Sequence, residues 1–383
     1  MSTNPGNLFQ HVRKLEGVRH PLVDFDALDQ ARVYVINQFE SMGYQVKLHA
    51  FQLEGFEKPF YNIEAHIPNP SEKYFLVTSH YDTVLSSPGA SDNASAVAIM
   101  LEVARLLKST EIAGRVRYVC FTLEEDNPAH QKQSLELGRD LGLLDSTYKP
   151  KTYDFYKNQE IFLRKLLENR FKGSESIFDD TLSQMTYLTE EEIEFFKITF
   201  GPYQKISSDY TLFALLGSSK YVESINKNNI IGLINFDPIG FTNKAPNTQR
   251  ILESMDPSVM PKYKTSEDLS VADFALIISE KNSQHLAQIY FESAKEVDLS
   301  SVWLHVPLDY TQISVAMPDV LRSDHNPFWR QNIPGLFISD TANFRNPNYH
   351  CEGDTFDTLD YDFMTQVGQT TVIFLLKYIK SLS

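Results

Sequence analysis

Cysteine is almost missing from this chain, with two residues, Cys120 and Cys351, among 383. So sparse a set excludes a disulfide framework and a thiolate zinc cluster. Cys120 falls inside an apolar run, as a core residue would, and Cys351 directly follows His350. Long apolar runs are absent too. None approaches the roughly 18 residues of a membrane-spanning helix, and the longest, such as Val372 to Leu376, has the length of a core segment. Basic charge is in deficit, with 35 Lys and Arg against 50 Asp and Glu and a formal net charge of −15. Such a surface repels phosphate backbones, which argues against nucleic-acid binding. It keeps a protein in solution and favours cationic ligands, including the free amino end of a peptide. The segment Met1 to Phe9 lacks the charged start and apolar stretch of a secretory leader. The expectation is a cytoplasmic protein, or a secreted one whose leader was removed. The motifs GxSxG, HExxH and GxGxxG and the phosphate-binding loop are missing as well, which removes support for serine-hydrolase, thermolysin-like and nucleotide-binding readings.

What is present alternates between two periodicities. Asp26 to Met42 carries Ala31, Val35 and Phe39 at helical spacing and stops at Gly43. Tyr44 to Leu53, Tyr61 to Ile67 and Tyr74 to Ser79 read as strands. A helix is predicted over Asn93 to Lys108, then a strand over Val116 to Thr122. Strand, helix, strand at these lengths predicts a crossover unit and a parallel pairing. The pattern resumes with strands at Ile230 to Phe236 and Gly335 to Ser339 and a last helix at Asp362 to Ile379. Between the two stretches, residues 126–212 are rich in Lys, Glu, Tyr and Phe. Helices are expected there at Phe155 to Phe171 and Thr189 to Phe200. The expected architecture is α/β, three layers (α/β/α) about a mixed, largely parallel central sheet. Residues 1–125 and 213–383 would form that domain, and 126–212 a mostly helical insertion.

Ionisable residues gather where the predicted strands end. His80, the pair Glu124/Glu125, and Asp237 each follow an apolar strand, and in open α/β sheets the carboxyl edge is where ligands bind. His80 is followed two residues later by Asp82, which could fix its ring as a carboxylate does behind a metal-binding histidine; an isolated HxD is more often an ordinary loop hydrogen bond. Asp92, in the run GASDNAS, could bridge two metal ions through its two oxygens, or could simply cap a helix. Glu124, Glu125 and Asp126 repel one another unless solvent or a cation offsets them. In a cleft, one acid could hold a metal while its neighbour acts as general base. Asp237 before Pro238 is also a common turn. His350 sits in a loop rich in Asn, Pro and Gly. Ser323, Asp324 and His325 are adjacent and so cannot converge as a nucleophilic triad.

Taken in order, His80 with Asp82, Asp92, Glu124-Glu125, Asp237 and His350 resemble the ligand series of metallopeptidase family 28, which includes co-catalytic zinc aminopeptidases, glutamate carboxypeptidases and glutaminyl cyclases. The stretches LLGSSKYV, SDHNPFWRQNIPGLF and FRNPNYHCEGDTFDTLD resemble it too, so the similarity spans most of the chain outside the insertion. The resemblance implies a zinc exopeptidase fold and two zinc ions. Asp92 would bridge them, His80 and Asp237 would complete one site, and Glu125 and His350 the other. It further implies Glu124 as general base, Asp82 as the residue orienting His80, and a cis bond between Asp92 and Asn93. The implied activity is removal of N-terminal residues from peptides with a free amino end. Ser323, Asp324, His325 and Arg345 are candidate substrate contacts, and Arg322 or Arg345 would suit a carboxypeptidase. A cyclase or a non-catalytic binding module are the alternatives on this framework. The insertion departs from the family pattern. Because it leaves the chain beside Glu125, a cap over the active-site edge is expected, with self-association as its rival role.

Overall fold

The apolar runs of the sequence become the middle of a sheet, and the computed structural model shows how the chain covers both its faces. The structure describes residues 2–146, 148–171, 176–201, 213–250, 262–264 and 269–382. Among them nine strands pair into one sheet. In chain order they are β1 (Gln45–Phe51), β2 (Phe60–His66), β3 (Tyr74–His80), β4 (Val116–Phe121), β5 (Ile230–Phe236), β6 (Lys262–Lys264), β7 (Ala275–Ser279), β8 (Ser301–His305) and β9 (Gly335–Ser339). The spatial order is β1-β2-β4-β3-β5-β9-β7-β8-β6. Neighbours β4, β3, β5 and β9 run parallel, as do β7 and β8, whereas β1 with β2, β2 with β4, β7 with β9 and β6 with β8 are antiparallel. The sheet is therefore mixed, with its longest parallel run in the centre.

Side-chain alternation along β3 shows the layering. Tyr74 and Leu76 join Val119, Phe121, Leu233, Tyr221, Val222 and Phe328 in one buried cluster. The intervening Phe75 turns to the opposite face, edge-on to Phe374 and Tyr378 of the helix Tyr361–Ser381. That helix packs with Pro5–Leu15, Ala96–Leu107 and Gln284–Glu296. Every residue of β3 is buried, as expected for a central parallel strand covered on both sides. Each fully buried ring contributes about 1.5–3 kcal/mol relative to exposure. The three-layer expectation holds, and the helix Asp26 to Met42 forms as Phe25–Ser41. Among the described residues no helix is long and apolar enough to cross a membrane.

Two differences from the sequence reading affect the sheet. Strands β7 and β8 were not anticipated. Each is only five residues long and buried throughout, so its apolar run carries no alternation. The helix expected from Asn93 begins instead at Ala96. The preceding Ala90–Ser95 is an irregular turn with non-helical φ/ψ at Asp92 (−112, 89) and Asn93 (−136, 34).

The described residues divide into two compact units: Met1–Gln52, Lys58–Glu125 and Leu215–Ser383 in one, Leu53–Glu57 and Asp126–Ala214 in the other. The expected end of the insertion, residue 212, lies outside the described residues. The second unit contains the helices Pro128–Asp140, Tyr153–Phe171, Ile177–Ser183 and Glu190–Thr199. It has its own core, centred on Phe155, Phe162, Phe178, Phe195 and Phe196. Thr189 and Glu192 form a reciprocal capping box at the start of its last helix.

Candidate metal centre

Strand order alone brings the first ligands together. Because β3 lies between β4 and β5, the residues at their carboxyl ends, His80, Glu124/Glu125 and Asp237, share one edge of the sheet. His80 Nε2 is 3.1 Å from Asp237 Oδ1 and 3.3 Å from Asp92 Oδ1, and 3.8 Å from Glu124 Oε2. On the other side of Asp92, His350 Nε2 is 3.2 Å from Asp92 Oδ2 and 3.1 Å from Glu125 Oε2. One carboxylate thus faces an imidazole with each oxygen, and each imidazole has a further carboxylate beside it. His80, Asp82, Asp92, Glu124 and Asp237 are buried, while His350 is about one-third exposed and opens the site to solvent.

The backbone that aims these groups is strained. Leu123 (φ 54), Leu215 (φ 58) and His350 (φ 59) all occupy the left-handed region, which is uncommon for residues other than glycine. Leu123 bends the chain after β4 so that Glu124 and Glu125 follow one another into the site. Leu215 N and Leu216 N then donate to the carbonyls of Glu124 and Leu123. Asp82 reinforces the bend. Its Oδ1 accepts from the Glu124 N–H and its Oδ2 from the Glu125 N–H, both at 3.2 Å, and Oδ1 lies 3.4 Å from His80 Nδ1. A single carboxylate therefore positions three of the site residues.

Two residues that sequence reasoning missed hold the Asp92 turn. Asp354 accepts the backbone N–H groups of Ser91 (2.8 Å) and Asp92 (3.1 Å). Arg19, 2% exposed, donates to the carbonyls of Tyr81 (2.7 Å), Gly89 (2.9 Å), Gly17 and Pro88 (3.0 Å each), and also to that of Leu15. It thereby ties the loop after β3 to the loop before Asp92. Gly89 (φ +63) is required where these meet, since a Cβ there would fall 2.3 Å from Thr83 and 2.4 Å from the Asp92 carbonyl. Nothing in the local sequence marks Arg19 or Asp354, because their partners are distant or are backbone atoms. Asp92 does not cap the helix that follows, whose N-cap position is Ser95 and has no side-chain cap bond. The Asp92–Asn93 peptide bond is cis.

The four candidate substrate contacts are placed differently from expectation. Arg345 is 6% exposed, its guanidinium donating to Gln249 Oε1 (2.9 Å) and the Phe274 carbonyl (2.8 Å) while lying over the Phe274 ring. His325 is fully buried, stacked on Phe337 and bonded to the Val320 carbonyl at 2.7 Å, and burial pushes its pKa down to about 3. Ser323 Oγ accepts from Asn235, and Asp324 is enclosed beside Ser218, its carboxyl raised to about 8 chiefly by burial. All four are interior groups, Ser323, Asp324 and His325 on the segment after the turn Pro318–Leu321 and Arg345 on the one after β9.

The electrostatics of the cluster call for cations. Burial raises Glu125 to about 8 and Glu124 well above the ordinary carboxylate range, with the neighbouring charges of Asp92 and Asp237 respectively adding to the effect. Burial would lower His350, but Glu125 and Asp92 overcome it and hold it near 11. Several buried atoms lack hydrogen-bond partners although charged groups lie close: Asp92 Oδ1, Glu125 Oε1 and His350 Nε2. Two overlapping groups, His80-Glu124-Asp237 and His80-Asp92-Glu125, have ligand atoms within 4.8 Å of one another. Converging nitrogen and oxygen donors without thiolate suit zinc and other borderline or hard divalent ions. A bound cation reverses the local preference for protonated acids. The residues fit a metal.

Comparison with known proteins agrees with this chemistry. The model of peptidase family M28 matches residues 62–214 and 171–375. The uncharacterised protein YfbL of Escherichia coli is 24% identical over 382 residues, 97% of this chain and 88% of that protein. Aminopeptidase YwaD of Bacillus subtilis is 41% identical over 86 residues, 21% of this chain and 17% of that protein. Among solved structures, a leucine aminopeptidase precursor from Bacteroides thetaiotaomicron superposes with a TM-score of 0.57 at 14% identity, covering 98% of this chain and 97% of that one. A glutaminyl cyclase from the same organism, bound to N-acetylhistamine, also gives 0.57 at 14% identity, with 98% of both chains covered. At such identities the structural likeness shows the fold.

Proposed function

The chain belongs to peptidase family M28, and on that premise we propose that it is a two-zinc aminopeptidase, removing N-terminal residues from peptides with a free amino end. The observation that carries this reading is the arrangement around Asp92, whose oxygens lie 3.3 Å and 3.2 Å from the imidazoles of His80 and His350. Asp92, His80 and Asp237 would hold one ion, and Asp92, Glu125 and His350 the other. Zinc bound there supplies Lewis acidity toward the scissile carbonyl and increases the acidity of water.

The protein's own groups do the remaining work. Glu124, fixed through its backbone to Asp82 and Leu215, presents its carboxylate beside His80 and takes a proton from the attacking water. The same carboxyl then delivers that proton to the leaving amine nitrogen. Asp82 holds the tautomer and orientation of His80. The excess of carboxylates over cationic side chains at this edge favours the amino end of a peptide over its carboxyl end.

A panel of aminoacyl chromogenic amides, free and N-acetylated, tests the proposal when assayed before chelation, after it, and after zinc return. Cleavage restricted to free amines, abolished by chelator and restored by zinc, is the expected result. A glutaminyl peptide that releases ammonia while the other substrates remain intact would replace the proposal with cyclisation.

A further inference from the structure

Next to the proposed centre stands an arginine that the mechanism above leaves unused. Arg322 is exposed at the end of the turn Pro318–Leu321 and directly precedes Ser323, the hydrogen-bond partner of Asn235. Among the described residues its hydrogen bonds are two, both 3.4 Å long: to Asn343 Oδ1 and to the Tyr349 hydroxyl. The Tyr349 ring in turn stacks on the His350 imidazole, centroids 3.8 Å apart and planes 17° from parallel. The guanidinium also lies within electrostatic reach of Tyr349, Asp319, Glu124 and Asp237, with no ion pair to any of these acids. It therefore stands at the rim of the site, one ring away from a proposed zinc ligand.

A guanidinium offers five N–H donors in a planar fork, and two long bonds leave most of that capacity unused. No carboxylate of the described residues lies within ion-pair distance of it. This contrasts with Arg32, Arg105 and Arg117, which pair with Asp29, Glu102 and Glu64. Asn343, whose Oδ1 accepts from Arg322, is exposed as well and carries amide N–H donors of its own. In a chain of net charge −15, an exposed arginine with free donors beside an acidic centre is suited to a bidentate carboxylate from outside.

We propose that Arg322, with Asn343 and Tyr349, forms a carboxylate-binding subsite that reads the portion of the substrate beyond the scissile bond. The inference rests on the aminopeptidase reading and narrows its substrate class to peptides carrying a carboxylate near the cleaved end. Two sources share this chemistry: the terminal carboxylate of a dipeptide, and an acidic side chain at the second residue of a longer peptide.

Two substrate pairs distinguish the sources: leucylglycine against leucylglycinamide, and leucylaspartamide against leucylasparaginamide. The wild-type protein is expected to favour the acid of at least one pair by about 10- to 100-fold in kcat/KM, the range of a charge-assisted bidentate contact. Preference in the first pair alone identifies a reader of short chain ends, and in the second alone a reader of acidic residues. In Arg322→Gln the acid-to-amide ratio falls toward one, and Arg322→Lys recovers part of it. If Arg322 merely braced Tyr349 and His350, acid and amide would lose activity together, and that result would overturn the subsite. So would a wild-type ratio near one in both pairs. Should no member of the panel be cleaved, the aminopeptidase reading fails on its own. Calorimetric titration of the zinc-loaded Glu124→Gln protein with the same pairs then decides the subsite: tighter binding of an acid, lost in the Glu124→Gln/Arg322→Gln double variant, supports it, and equal binding of acid and amide refutes it.

Discussion

Asp82→Asn isolates the contribution of one carboxylate to both folding and metal affinity. In the native protein the two oxygens each accept a backbone N–H, from Glu124 and Glu125, and Oδ1 also faces His80 Nδ1. An asparagine of the same shape keeps a single acceptor oxygen. Its amide nitrogen must then oppose the Glu125 N–H, or both the Glu124 N–H and His80 Nδ1, so at least one buried backbone donor loses its partner. A hydrogen bond to a charged acceptor contributes about 1.5–3 kcal/mol, and an unsatisfied buried donor costs about 1–3 kcal/mol. The expected loss of stability is about 2–4 kcal/mol, measured by urea denaturation of the metal-free protein. Removal of a carboxylate behind a metal-binding histidine typically reduces metal affinity by about 10–100-fold. Competition for zinc against a chromophoric chelator measures this second loss independently. A variant within about 0.5 kcal/mol of wild type and with unchanged zinc affinity would refute the positioning role of Asp82.

Other perturbations probe separate parts of the structure. Glu124→Gln is expected to retain bound metal while losing turnover by at least about 100-fold, since general-base catalysis contributes about 10²–10⁴-fold; near-wild-type activity would remove Glu124 from that role. Arg19→Lys keeps the charge but abandons most of the five carbonyls held by the guanidinium, and a loss of about 3–5 kcal/mol is expected in denaturation, with no change if those bonds are idle. Glu64 gives a pH signature away from the centre. Burial would raise its carboxyl, but hydrogen bonds from His49 (2.8 Å) and Arg117 (2.7 Å) prevail and hold it at about 2. A depressed carboxylate stabilises the fold above its ordinary value near 4.5, and this stability disappears as pH falls toward 2. Glu64→Gln should therefore flatten the stability profile between those values by about 3 kcal/mol, whereas an unaltered profile would show that the pairing contributes nothing.

How far the sequence carried these conclusions depended on whether a residue's role was local. His80, Glu124, Glu125 and Asp237 were legible because apolar strands stop abruptly at ionisable groups, and parallel pairing places such stops side by side. Asp92 and His350 were legible only through the order of the whole motif series, since each alone reads as a turn or loop residue. The left-handed backbone at Leu123 and Leu215 left no trace in sequence, because leucine carries no preference for it. Arg19 and Asp354 were invisible for a related reason: both act on backbone groups, which every residue possesses. Ser323, Asp324 and His325 suggested chemistry by their types alone, but tertiary packing buried them. The short strands β7 and β8 were missed because a buried five-residue run has no periodicity to read.

The central claim is that Asp92 joins two metal positions, and zinc counting by native mass spectrometry tests it most directly. The account predicts two zinc ions per wild-type chain, one in His350→Ala, and fewer than two in Asp92→Ala. A wild-type chain saturating at one ion, or two ions retained without Asp92, would contradict it.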